Sequence, residues 1–189
     1  IFHRTIDTGI QHGTVTVLVD REILDDGRGS PASHTDYAFE VTTYRVDGVY
    51  TDHRRPESVC FTASLEEDLK RRDFTINAMA YNPEQGVIDI FGGQEDLEKG
   101  IIRCVGEASE RFDEDALRIL RAVRFAAQLD FVIEDQTREA MRDQAKFLKD
   151  ISAERICTEL TKMIVSKHPE RLEEAYELGL TNIFLPEFD

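Results

Sequence analysis

A chain of 189 residues can bury a core and amounts to one large domain or two small ones. With 32% charged residues and no apolar run of membrane-spanning length, it is expected to be soluble with no membrane partner, and its opening, IFHRTIDTG, lacks the order of a signal peptide. A net charge of −15 excludes broad electrostatic capture of nucleic acid, so such a partner has to be held by local basic strips at 54–55, 70–72 and 118–124.

Residues 13–20, GTVTVLVD, form a β-branched run after a glycine and read as a strand. Residues 37–46, YAFEVTTYRV, alternate around Phe39, Val41, Thr43 and Arg45 and read as a second. The Asp-, Gly-, Ser- and Pro-rich stretch at 21–36 is a loop, so the two strands suggest an antiparallel pair. Glu40 sits mid-strand with its neighbours on the opposite face. A water-exposed edge-strand acid is the plainer reading of it, and a carboxylate turned to a partner or metal is the alternative.

Residues 47–65 are irregular around the charged segment HRRPES. Ser64 and Glu67 then fit a capping box opening a short helix over 66–72. It leads into RRDFTINAMA (71–80), where Arg71, Arg72, Asp73, Thr75 and Asn77 crowd at an expected helix start. Free N–H groups beside guanidiniums suit a phosphate there. The plainer alternative is that Asp73 caps the helix and the arginines are solvated. Short strands are expected at 87–91 (VIDIF), ended by Gly92 and Gly93, and at 101–105 (IIRCV), with a brief helical segment at 94–99.

Beyond 107 the strand-like runs give way to helical periodicity, which places a domain boundary near 108. Helices are predicted over 113–129, 135–148, 152–165 with Ser152 as N-cap, and 169–178 stopped by Gly179. Met141, Ala145 and Leu148 form one packing stripe, and Ile156, Leu160, Met163 and Ile164 another. The first of these helices, DEDALRILRAVRFAAQL, reads as uninterrupted. Ala116, Ile119, Leu120, Val123 and Ala127 share its dry face, and Asp115, Arg118, Arg121 and Arg124 spread over the other. Asp115 and Arg118, three residues apart, set a carboxylate beside a guanidinium. That edge accepts from the exocyclic amino group and donates to the ring nitrogen of cytosine or adenine, and mismatches uracil and guanine. An ordinary surface ion pair, worth about 0.2–0.5 kcal/mol, is the plainer reading of the pair alone.

Cys60, Cys104 and Cys157 have no metal or dithiol spacing, so free thiols in a reducing cytoplasm are expected. The five histidines have no ligand spacing either. No G-x-S-x-G, Walker A or G-x-G-x-x-G motif appears.

Taken together and in order, RRPESV (54–59), EEDLKRRDFTINAMA (66–80), DIFGGQEDLEKGIIRCVGE (89–107) and RFDEDALRILRAVRFAAQL (111–129) resemble the bacterial class II tRNA nucleotidyltransferases, the group of CCA-adding enzymes and their poly(A) polymerase relatives. The resemblance covers nearly the whole chain. It implies an α+β fold: a partial nucleotidyltransferase head with a small, mostly antiparallel sheet at 1–108, followed by an all-α neck and the start of a body at 109–189. It implies that Asp115 and Arg118 read the incoming base, that Arg72, Asp73 and Asn77 contact triphosphate and ribose, and that Arg121 and Arg124 contact phosphate. Glu40 matches an accessory acid beside the metal site, and Arg54, Arg55 and Glu57 match a flexible loop that serves the change from C to A addition.

The implied substrates are CTP, ATP and the 3′ end of tRNA, with Mg2+ in the intact enzyme and no template. A poly(A) polymerase, an enzyme restricted to A or CC addition, and a non-catalytic RNA-binding relative are the alternatives. The family's glycine motif and Asp-x-Asp metal pair have no counterpart ahead of RTIDTGIQHGTVTVLVD. The chain is therefore expected to be a catalytically silent fragment without a metal site, with no role assigned to 21–36.

Overall fold

Antiparallel pairing organises the first half of the chain. In the computed structural model, which describes residues 4–10, 13–19, 37–48 and 58–188, β1 (Thr5–Gly9), β2 (Thr14–Val19) and β3 (Tyr37–Thr42) form one sheet in that order. β2 and β3 pair from Thr14↔Thr42 to Val19↔Tyr37, as the two β-branched runs predict. β1, which carries no strong strand signal, pairs along the other edge of β2.

The single strand expected over 37–46 breaks at Thr43 and Tyr44. β4 (Arg45–Asp47) leaves the sheet and pairs with β5 (Val59–Phe61), inside a stretch expected to be irregular. The cause is tertiary: the Arg45 N–H donates to Asp68 at 3.3 Å, tying β4 to the next helix. That helix, α1 (Leu65–Lys70), opens as predicted, with Ser64 accepting the Glu67 N–H at 3.3 Å. The return contact runs through Thr62, which accepts the Ser64 N–H and donates its hydroxyl to Glu67 at 2.8 Å.

After α1 no new helix starts, which corrects the expectation for 71–80. The segment makes one 3-10 turn (Thr75–Asn77) and enters β6 (Met79–Asn82), paired with β7 (Gly86–Asp89). Its backbone bonds are already spent. The Thr75 N–H donates to the Arg103 carbonyl, the Val105 N–H donates to the Asp73 carbonyl, and Phe74, fully buried, bridges Cys104. α2 (Gly93–Lys99) follows, with Asp89 accepting the Gly93 and Gln94 N–H groups, both at 2.8 Å. β8 (Ile101–Ile102) pairs with β9 (Val132–Ile133), the one parallel pair among the described strands.

The helical half contains α3 (Ala108–Glu114), α4 (Leu117–Leu129), α5 (Asp135–Gln144) continued as a 3-10 segment (Ala145–Asp150), α6 (Ala153–Ile164), α7 (Leu172–Glu177) behind a 3-10 turn, and α8 (Thr181–Phe184). Ser152 precedes α6 but makes no side-chain cap. Gly179, at φ +69°, ends α7 as predicted. The first stripe is buried throughout; in the second Met163 is buried, Ile156 and Leu160 are half-buried and Ile164 is exposed. α4 is the spine of the core. Its Ile119, Leu120, Ala122, Val123, Ala126 and Ala127 pack in one cluster with Phe74 and Ile102 from the first half and with Met141, Leu148, Met163 and Leu180 from the second. Each large side chain buried in this way stabilises the fold by about 1.5–3 kcal/mol. No helix among the described residues is long and apolar enough to cross a membrane.

The uninterrupted helix read over 113–129 is in fact two. At Asp115 the backbone is extended (φ −146°, ψ 101°), separating α3 from α4. The Asp115 side chain accepts the Leu117 N–H at 3.1 Å, the work of a helix cap. The apolar period continues across the break and conceals it.

Candidate functional site

Six of the seven residues expected to bind nucleotide come together. Arg72, Asp73, Asn77, Asp115, Arg118 and Arg121 line a cleft of about 480 Å3, with Arg71, Leu117, Phe125 and Arg155 completing its walls. It lies between the 71–77 segment, the α3–α4 junction and α6. Five arginines and two carboxylates line it, in a chain of net charge −15, with Arg155 already taken up by Asp115. The local balance suits an anionic ligand of nucleotide size.

Arg118 is fixed before any ligand arrives. Glu114 bridges it at 2.5 Å to Arg111 at 2.6 Å. Arg118 also donates to the Arg111 carbonyl at 3.1 Å and the Arg71 carbonyl at 2.9 Å, while Arg111 reaches the Lys70 carbonyl at 2.7 Å. Carbonyls left open at the end of α1 thus receive two cations. The helix break alters the expected pairing: Asp115 and Arg118 share the cleft but are not ion-paired with each other. Arg155 from α6 takes Asp115 in a two-pronged contact, at 3.2 Å to Oδ1 and 2.7 Å to Oδ2.

Asp73 caps no helix. Its Oδ1 accepts from the Phe74 N–H at 2.9 Å and the Asn77 amide at 3.1 Å, and its Oδ2 accepts from Arg121 at 2.8 and 2.6 Å. Burial pushes this carboxyl up, but the Arg121 charge and these hydrogen bonds outweigh it and hold Asp73 below the usual carboxylate range. Nor are the neighbouring arginines simply solvated. The buried Asp68 accepts from Arg71 at 2.6 Å and from Arg72 at 3.2 Å, and Arg72 also donates to the Asn77 carbonyl at 3.3 Å.

Arg124 is not brought to the cleft, against the expectation of a phosphate contact. It is buried, donating to Glu159 at 2.5 Å and Gln128 at 2.6 Å, with its guanidinium 3.9 Å from the centre of the Phe125 ring. Glu40 is also apart: it lies on β3, at the edge of its sheet, where all six residues are exposed. Among the described residues no three His, Cys, Asp or Glu converge on a point. They do not form a set that fits Mg2+. Arg54, Arg55, Glu57 and the 21–36 stretch lie outside the described residues. A larger hollow of about 690 Å3 is lined by Glu107, Glu134, Glu139 and Asp143, and none of the expected site residues lines it.

Sequence reasoning missed Glu114, Asp68 and Arg155. Glu114 and Asp68 sit inside quoted motifs, and an acid three or four residues from an arginine on a helix was a usable signal. Arg155, forty residues from its partner, offered none.

The family model described as "Poly A polymerase head domain" matches residues 1–103, and "Probable RNA and SrmB- binding site of polymerase A" matches 130–189. A CCA-adding enzyme of Leuconostoc mesenteroides is 50% identical over 187 residues, 98% of this chain and 43% of the relative. One from Lactiplantibacillus plantarum is 52% identical over 169 residues, 89% of this chain and 38% of the relative. The crystal structure of the Bacillus stearothermophilus CCA-adding enzyme in complex with CTP superposes with TM-score 0.79 at 42% identity, over 95% of this chain and 40% of that one. The Thermotoga maritima CCA-adding enzyme complexed with tRNA-CCA gives TM-score 0.70 at 26% identity, over 97% and 38%. The chain spans about two fifths of the length of these relatives.

Proposed function

Since the chain belongs to the poly A polymerase head-domain family, which takes in the CCA-adding enzymes, we propose that its cleft binds a nucleoside triphosphate and reads the base. The observation that carries this reading is that base-complementary and phosphate-suited groups line one cleft. Asp115 accepts from the exocyclic amino group of cytosine or adenine, and Arg118 donates to the adjacent ring nitrogen. Arg72, Asp73 and Asn77 hold triphosphate and ribose, with Arg121 beside them. Arg124 and Glu40 are left out of this assignment because of where they lie.

For the whole protein that carries this chain, we propose template-independent addition of C and A to the 3′ end of tRNA in the cytoplasm, from CTP and ATP. The RNA 3′ hydroxyl attacks the α-phosphate and pyrophosphate leaves. Mg2+ belongs to this proposal, on ligands outside the described residues. Relatives solved with CTP and with tRNA support the substrates.

The test is extension of a tRNA trimmed before CCA by that whole protein, with product length resolved. Two additions with CTP and a third only with ATP present are expected. A long ladder with ATP alone would make it a poly(A) polymerase, and no extension would leave an RNA-binding relative. Asp115→Ala is expected to relax nucleotide choice more than it weakens triphosphate binding; equal loss for all four nucleotides would refute the base-reading role.

A further inference from the structure

We infer that Arg155 sets the selectivity of the cleft by fixing the Asp115 carboxylate, as a positioning residue that does not itself touch the nucleotide; this rests on the base-reading role proposed above. A carboxylate offers about four acceptor positions on its two oxygens. On Asp115, Oδ1 receives the Leu117 N–H at 3.1 Å and Arg155 Nη1 at 3.2 Å, and Oδ2 receives Arg155 Nη2 at 2.7 Å. Among the described residues these contacts leave one position, on Oδ2, for a ligand.

That single acceptor matters because of what the rejected bases offer. Cytosine and adenine fill it with an amino N–H and leave a ring nitrogen for a donor. Uracil and guanine bring a ring N–H beside a carbonyl, and a carboxylate free to turn could meet that N–H in a shifted register. An aspartate is soft about its last torsion, so nothing intrinsic to it prevents the turn. The planar two-pronged guanidinium does.

Arg155 is itself firmly placed. Four residues further along α6, Glu159 holds Arg124 of α4 at 2.5 Å, so α6 is clamped at two points on one face to the segment that carries Asp115 and Arg118. Both members of the Arg155 pair are partly shielded, at 26% and 19% side-chain exposure, which strengthens the contact over one in open water.

The experiment is calorimetric titration of this chain and its Arg155→Ala, Arg155→Lys, Asp115→Ala and Asp115→Ala/Arg155→Ala variants with CTP, ATP, UTP, GTP and inorganic tripolyphosphate. In Arg155→Ala the preference for CTP over UTP is expected to fall about tenfold, the weight of one charge-assisted hydrogen bond, with tripolyphosphate affinity unchanged. Arg155→Lys should keep only part of the preference, because an ammonium cannot make the fork. The double variant should discriminate no worse than Asp115→Ala. Loss of affinity for every ligand in Arg155→Ala, with the CTP to UTP ratio kept, would overturn the inference while leaving base reading intact. A wild-type chain without preference, or one whose preference survives Asp115→Ala, would overturn the base-reading proposal itself.

Discussion

Replacing Arg124 by Met, Glu159 by Leu, and both together separates a structural ion pair from a ligand contact. The residues are 7% and 4% exposed, with Nε and Oε2 2.5 Å apart. Charges centred about 4 Å apart at an effective dielectric of about 20 attract by about 4 kcal/mol, much of it cancelled by removing both ions from water. The singles cost more than the pair contributes, because each strands a charge. Arg124→Met leaves Glu159 with Lys162 alone, at 3.3 Å; Glu159→Leu leaves Arg124 with Gln128 and the Phe125 ring. Each single is expected to lose about 3 kcal/mol, lowering Tm by roughly 6–12 °C in a chain of this size. The double removes the pair without stranding a charge, so it should lose less than either single rather than about 6 kcal/mol. Urea and thermal unfolding followed by circular dichroism measure all four proteins, and tripolyphosphate titration of Arg124→Met should match wild type. Additive losses would refute the buried pair. Unchanged stability with lost tripolyphosphate affinity would restore Arg124 as a phosphate contact.

Asp73 gives a pH dependence. Its folded pKa is held below the unfolded value of about 3.9, so its contribution is present above that value and lost as pH falls through the folded one. Arg121→Met removes the largest opposing attraction and leaves burial, which moves the pKa upward. Its destabilisation should be larger at pH 7 than near pH 4 by urea midpoint, and a pH-independent deficit would contradict this account. Gly93→Ala should cost about 1–3 kcal/mol in chemical denaturation, since a Cβ there lies 2.3 Å from the Thr75 carbonyl oxygen; wild-type stability would show that the packing of α2 on this turn is misjudged. Iodoacetamide at pH 8 should modify Cys60 and Cys157 but spare Cys104, which is 2% exposed and whose thiol burial pushes up to about 12. Equal labelling of all three in a mass spectrum would argue against the burial of Cys104.

Much of the candidate site was legible, because its residues lie in two short, chemically dense segments. RRDFTIN and DEDALRILR carry their charges at spacings that hold whatever the backbone does, and six of the seven expected contacts meet in the cleft. Arg124 was expected beside the others because helical phase places it on the arginine side, and phase says nothing of a neighbouring helix. α6 covers that side and brings Glu159 to it. Helical periodicity also cannot report a one-residue break that preserves the period, as at Asp115.

The sequence by itself determined what rests on local chemistry: the β2–β3 ladder, the Ser64 cap, the stop at Gly179, the apolar face of α4 and the identity of the charged groups that line the cleft. Only the tertiary structure decided which of these groups are already engaged. The 71–77 segment starts no α-helix and makes only one 3-10 turn because the 103–105 backbone took its hydrogen bonds. Asp115 gained Arg155 from forty residues away. Buried charges and backbone groups must find partners wherever the fold brings them, and those partners are set by packing between distant segments rather than by spacing along the chain.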